Sequence, residues 1–326
     1  MNLLMTNFLF ALNATVPVFL IIVLGYFLQR VHFLNDAFNK TANEYVFRCA
    51  LPISLFRSIA GMDFYSEFDP IFCLFCFTAT TVMFLGIWAG AWFFMKNKGQ
   101  VGAFAQASAR SSAAVLGIAL ATNIYGNAGM VPMMIMSAVP FFNVYSVLIL
   151  SFSPQVDERG QLLPAIRGTG AVKKACINVL KNPLILGILA GLPFALFKIK
   201  VPAMLDSALS SLGATATPIA LLVVGASFSG SEAIKRWKGA FVSSLIKLLL
   251  LPAIFLPLAA AMGFRQSQMI AILIMAGSPT TVACFVMAKN MHGDSVLTSN
   301  AVLLSTLLSA LSITFWLFLM KGFGWI

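Results

Sequence analysis

Polar residues interrupt this chain at long intervals and do not alternate with apolar ones. The apolar runs cover roughly 8–29, 41–60, 70–95, 102–124, 129–152, 182–199, 203–229, 239–262, 267–289 and 296–320. Each is near the ~20 residues that a helix needs to cross the hydrocarbon of a bilayer. Proline or glycine punctuates several of their ends, at Pro70, Gly99, Gly126, Gly129, Pro183, Pro202 and Gly293. The pattern predicts an all-α membrane protein with ten transmembrane helices. The first run has no lysine or arginine before it and no small-residue cleavage site, so it reads as a span and not a cleaved signal. The long polar connection, residues 153–181, divides the chain into halves of five spans each, 1–152 and 182–326.

Composition agrees with this reading. The chain is 60% hydrophobic and 10% charged, more apolar surface than a soluble protein of 326 residues can bury. Its net charge of +11 is scattered in short clusters between apolar runs, which excludes a nucleic-acid-binding stripe. Thirteen of the lysines and arginines lie beside the loops after spans 1, 3, 5, 7 and 9, whereas Lys198, Lys200, Arg265 and Lys321 lie on the opposite side. The positive-inside rule then places the odd loops in the cytoplasm and both termini outside the inner membrane. The acidic loop 61–69 falls outside. The five cysteines, including the Cys73/Cys76 pair, sit almost entirely in apolar segments and read as packing residues.

The two halves carry matching residues at a nearly constant offset. At 166, Pro17 matches Pro183, Gly25 matches Gly191, and ALPISL (50–55) matches ATPIAL (216–221). At 167, Ser111, Val115, Ala121, Asn123 and Gly126 match Ser278, Val282, Ala288, Asn290 and Gly293. Five spans per half make the second half run upside down relative to the first. Such a 5+5 inverted repeat is the plan of secondary transporters, in which discontinuous helices meet at a midplane substrate site.

Spans 4 and 9 are the candidates for those helices. In GSPTTVACFVMAKNMHG (277–293), Pro279 removes a backbone donor in mid-span. Ser278, Thr280 and Thr281 can repair the kink or offer the same groups to a substrate. Span 4 has no central proline and carries Arg110, Ser111, Ser112 and Gly117, so a softer break is expected there. Arg110 either holds a carboxylate through its planar fork of donors or snorkels to the interface. Asn143, Ser305, Thr306 and Ser309 can line the cavity or join helices. Glu44 and Arg48, four apart, are expected to pair; Arg57 and Asp206 are expected to snorkel; Lys247 has no evident partner. No span centre carries a carboxylate, and neither an ATP-binding motif nor a nucleophile–base or metal set is present. An enzyme, a cofactor and a metal site are therefore not expected.

Taken together, LPISLF (51–56), the Arg110-Ser111-Ser112 run, KNPLILGILAG (181–191), TPIALLVVGASF (217–228), SPTTVACFVMAKNMHGD (278–294) and VLLSTLLS (302–309) resemble the auxin efflux carrier family in its short bacterial form. The resemblance covers essentially the whole chain. It implies export or uptake of small organic acids such as malate, malonate or auxin-like acids. It also implies a scaffold of spans 1, 2, 6 and 7, often dimeric, and a moving transport domain of spans 3–5 and 8–10 in which helices 4 and 9 cross. The implied site is Arg110, Ser111, Ser112, Gly117, Asn143, Ser278, Pro279, Thr280, Thr281 and Thr306. Ser112 stands where the family often has asparagine, and Ala119 where it often has proline. A receptor binding the same ligands without moving them is the alternative.

Overall fold

The computed structural model describes residues 3–61, 69–157, 162–163, 177, 179–228 and 230–326, leaving aside the side chains of 3–15, 114–116, 118–119 and 230–233. Most of the 61–69 and 153–181 connections therefore lie outside the described residues. Within the described residues the chain is helical, with one isolated bridge between Val156 and Leu162. The helices are α1 (Leu3–Arg30), α2 (Asp36–Tyr45), α3 (Leu51–Ala60), α4 (Pro70–Phe94), α5 (Val101–Ala109), α6 (Ala113–Tyr125) and α7 (Val131–Phe152). They continue as α8 (Pro183–Leu196), α9 (Ala203–Ala214), α10 (Ala216–Ala226), α11 (Gly230–Leu245), α12 (Leu251–Ala261), α13 (Ser267–Gly277), α14 (Ala283–Asn290) and α15 (Ser295–Gly322). Among the described residues, five helical stretches, at 70–94, 131–152, 203–226, 234–261 and 295–322, are long and apolar enough to cross a membrane. Large apolar side chains such as Phe93, Phe94, Met204 and Leu311 face outward, as lipid as solvent requires. This is an integral membrane protein.

Helix starts follow from local chemistry. Asn35, Asp69, Asn182 and Asp294 accept hydrogen bonds from the first-turn amides of α2, α4, α8 and α15, and Pro70 and Pro183 occupy first-turn positions whose missing N–H costs nothing. Two π-turns interrupt long helices, Val46–Ala50 between α2 and α3 and Ile246–Leu250 between α11 and α12. Each leads into a Leu-Pro pair. Pro252 has no N–H for the Leu248 carbonyl, and the Trp316 indole donates to that oxygen from α15 at 2.9 Å. The first π-turn begins two residues after Glu44 and contains Arg48, which departs from α-helical register, and the expected pair does not form. Arg57 and Asp206 do not snorkel separately either. They pair across α3 and α9 through two parallel bonds of 2.7 and 3.0 Å.

The largest apolar core is built from α4, α5, α6, α7, α12, α13 and α15, with no residue from α1–α3 or α8–α10. A second core joins α1, α2, α8 and α10 to one face of α7, α14 and α15. Glycines let two pairs of helices approach backbone to backbone. A Cβ on Gly25 of α1 would lie 2.2 Å from the Leu222 carbonyl oxygen of α10, and one on Gly225 of α10 1.9 Å from that of Ile22. On α8, a Cβ at Gly187 would meet Pro52 O at 2.6 Å, and one at Gly191 would meet Phe56 O at 2.8 Å. By contrast, Gly86 and Gly90 of α4 border an apolar groove of about 640 Å³ against α11 and α12, with nothing within 4 Å of an added Cβ.

Gly225→Val should therefore destabilise the protein by at least the ~1–3 kcal/mol of an overpacked contact, because main chain cannot yield as a side chain does. Gly86→Val should leave the melting temperature of detergent-purified protein near wild type. Equal melting temperatures for the two variants would contradict the close α1–α10 approach.

Candidate functional site

Both suspect spans are broken. One gap, residues 110–112, separates α5 from α6; the other, 278–282, separates α13 from α14. The span 4 break, expected to be the softer, is the shorter of the two, and Arg110 within it is extended (φ −76°, ψ 132°) without any proline. Partners elsewhere in the fold stabilise that opening. The two gaps meet main chain to main chain, the Ser112 amide donating to the Pro279 carbonyl at 2.9 Å.

Breaking a helix strands the carbonyls of its last turn and the amides of the next first turn, and in hydrocarbon each must find a partner. Ala107 O accepts from the Thr280 hydroxyl at 2.7 Å, and the Thr280 amide donates to Ser305 Oγ at 3.0 Å. Cys284 O accepts from the Gln106 amide at 3.1 Å. Met275 O accepts from the Ser111 hydroxyl. Lys247, fully buried in the second π-turn, donates to Ala109 O (3.1 Å), Met275 O (3.2 Å), Ala276 O (2.9 Å) and Ser111 Oγ. It has no evident partner in the sequence, because its partners are mostly main-chain oxygens. A lone lysine in SSLIKLLLLP was the available signal.

Arg110 points the other way. Successive side chains of an extended segment project to opposite sides, so Arg110 and Ser111 leave the break in different directions. The Arg110 guanidinium, 6% exposed, donates to Asn143 Oδ1 (2.6 Å), Ser146 Oγ (3.3 Å) and Met287 Sδ (3.0 Å). Every one of these partners is neutral. Its Nε is buried without a partner, as are Ser278 Oγ and Gln106 Oε1. Snorkelling is excluded by this geometry, since the guanidinium is held inside by α7 and α14. Val147 and Met287, which flank it, belong to the core where these helices meet α1, α2 and α10.

The predicted site residues thus divide. Arg110 and Asn143 bond directly, and Ser112 and Pro279 join the gaps. Ser278 is buried and unpartnered; Ser112 and Thr281 are half-buried at the gaps. Ser111 and Thr280 are already committed to stranded carbonyls. Gly117 lies in α6 against Ile274 and Val131, where a Cβ would meet both at 3.0 Å, and serves helix packing. Thr306 is buried on α15 without a hydrogen bond to either gap, and its neighbour Ser305 makes that contact. The uncapped first turn of α6 leaves amides at the gap, the positive end of that half-helix. At the outer rim of these elements, Asp294 accepts from Arg236 (2.8 Å) and Gln100 (3.2 Å) while capping α15, tying the starts of three spans together.

Compared with known proteins, residues 10–164 and 168–317 match the family described as membrane transport protein. The chain is 22% identical over 314 residues to an uncharacterized transporter of Methanothermobacter thermautotrophicus, covering 95% of this chain and 98% of that protein. It is 22% identical over 324 residues to an uncharacterized transporter of Methanocaldococcus jannaschii, covering 97% of this chain and 98% of the relative.

The carbonyl accounting makes Thr280 a structural hydroxyl. Thr280→Val should cost about 1–3 kcal/mol by leaving Ala107 O unsatisfied, measured as a lowered melting temperature. Ligand affinity per folded molecule should stay within about twofold, since the lost group bonds the protein itself. An unchanged melting temperature with weakened binding would return Thr280 to the ligand.

Proposed function

Because the chain belongs to the membrane transport protein family of auxin efflux carriers, we propose that it moves a small organic anion, a mono- or dicarboxylate, by alternating access. One observation carries the choice of substrate. Arg110 is a buried cation at the meeting of two broken helices, with neutral partners and an unused Nε–H. A buried charge without a counter-ion is costly, and a carboxylate arriving there supplies the missing one. The planar fork and the uncapped first turn of α6 suit its two oxygens. Ser278 Oγ and Gln106 Oε1 offer a donor and an acceptor for a second polar group. Substrate polarity then substitutes for a permanent ion pair.

The architecture proposed for this movement is ten spans in a 5+5 inverted repeat. The helix bounds support it, with the ten expected runs falling on α1, α2–α3, α4, α5–α6, α7, α8, α9–α10, α11–α12, α13–α14 and α15. The glycine contacts support it further. Gly25 packs on Leu222 and Gly191 packs on Phe56; an offset of 166 carries Gly25 to Gly191 and Phe56 to Leu222. One contact is thus made twice, with the halves exchanged. A scaffold of α1–α3 and α8–α10 against a moving body of the remaining helices accords with a main core that takes nothing from the scaffold. Arg110 lies on the side of that body facing the scaffold, where a displacement would change its access to water. A homodimer through the scaffold, seated by outward-facing apolar residues such as Met204 and Leu205, completes the reading.

Arg110→Lys should lower uptake of the transported acid into proteoliposomes about tenfold or more despite the retained charge, because the planar fork is lost. Arg110→Ala should lose at least the ~1.5–3 kcal/mol of a charged hydrogen bond. A screen of organic acids by thermal shift identifies the acid first, and uptake is compared at equal amounts of monodisperse protein. Wild-type transport by the lysine variant would remove Arg110 from the site, and binding without uptake by the wild type would mark a receptor.

Orientation in the inner membrane follows from the distribution of positive charge. In a background without native cysteines, a cysteine placed within 61–69 should be labelled by an impermeant maleimide on intact cells, and one within 160–170 only after lysis. Reversed labelling would invert the chain.

A further inference from the structure

Lys247 remains outside the substrate reading. Its ammonium is buried on the face of the crossing opposite Arg110 and is surrounded by oxygen alone. These oxygens are the carbonyls of Ala109, Met275 and Ala276 and the hydroxyl of Ser111. The carbonyls belong to the last turns of α5 and α13, the negative ends of the two half-helices. Three carbonyls and a hydroxyl, with no carboxylate among them, form a donor set for a monovalent cation. Half-helix C-terminal ends and unwound carbonyls are where ion-coupled transporters hold such ions. The lysine reaches this place from a π-turn, whose extra residue sets the side chain between the two half-helices. Its stem runs among Ile246, Leu248 and the apolar core.

We propose that Lys247 is a tethered cation: its ammonium fills a monovalent-cation site at the helix crossing, so the two half-helices stay joined without an ion drawn from either side of the membrane. This deepens the transporter reading and rests on it, because it assigns the charge that balances the crossing to the protein. The site differs from the substrate site in position, ligands and sign of charge. Arg110 meets the interface with α1, α2 and α10 and is short of an anion, whereas Lys247 faces the inner core and has its oxygens already. A lysine that merely packed would be replaceable by an apolar side chain of equal length. One that supplies charge would be replaceable by a free cation.

Removing the tether tests this. Full-length protein is purified in detergent, and the melting temperatures of wild type, Lys247→Ala and Lys247→Met are compared in choline, sodium, ammonium and methylammonium chloride. Wild type should be indifferent to the salt. Lys247→Ala should melt lower in choline and recover about half of the loss or more in one of the small cations, as binding to the folded state requires. Lys247→Met, with the cavity filled and no charge, should melt low in every salt. Should Lys247→Ala yield no monodisperse protein in choline, purification in ammonium supports the proposal if it restores the protein and overturns it if it does not. Wild-type stability of Lys247→Met, or an alanine variant indifferent to every cation, would also overturn it. None of these measurements involves substrate, so they stand apart from the Arg110 transport assay, which decides the transporter reading on its own.

Discussion

An amide or carbonyl set loose in hydrocarbon has no water to turn to, and each must be paired from within. The chain breaks two helices in its middle and then recovers the freed groups one at a time. Thr280 reaches across to Ala107, the Ser112 amide to Pro279, and Lys247 gathers the ends of both half-helices. Apart from the reach of Lys247 to Met275 and Ala276, 28 and 29 residues away, these bonds join residues more than a hundred apart. The crossing therefore exists only when both halves of the chain are present and in register. Helix packing around it serves that register, with small residues such as Ala103, Ala105, Ala107 and Ala109 lining α5 where neighbours press close.

The same constraint explains which residues are left over. Among the side-chain atoms that remain buried and unspent, which include Asn39 Oδ1 and Tyr125 Oη elsewhere, three lie at the breaks, namely Arg110 Nε, Ser278 Oγ and Gln106 Oε1. In a fold that pairs its buried groups so thoroughly, these three stand out as vacancies at a common crossing. A hydroxyl that looks like a ligand in sequence, such as Thr280 or Ser111, is more valuable to the crossing than to a substrate. The groups proposed to bind are those the backbone did not need.

Much of the fold was legible in the sequence because hydropathy and helix length are local properties. The helix bounds of α4, α7, α8 and α15 fall within a few residues of the runs read from the chain. The glycines of the two halves were legible as a repeat, although not the contacts they make. What escaped depends on partners distant in sequence. Arg57 and Asp206, 149 residues apart, gave no sign of pairing. Glu44 and Arg48 had the right spacing for an α-helix and lost it to the π-turn that leads into Pro52. The span 4 break carries no proline, so its cause is not local at all: Thr280, Lys247 and Pro279 hold it open from the other half. Arg110 and Asn143 were legible because an ionisable group and an amide in mid-span are rare enough to be noticed. Lys247 was equally rare, but its partners are main-chain oxygens, which no side-chain pattern records.

Arg110 and Ser111 are consecutive, yet one faces the scaffold side and the other is held by Lys247. A single peptide unit therefore separates two environments of opposite need, and a rotation of that unit would move both side chains. Thermodynamic linkage then runs both ways through it. For the anion proposed at Arg110, whatever tightens the hold of Lys247 on Ser111 would alter its binding free energy, and its binding would alter the grip of Lys247 by the same amount. The coupling path between the two faces of the crossing is one residue long.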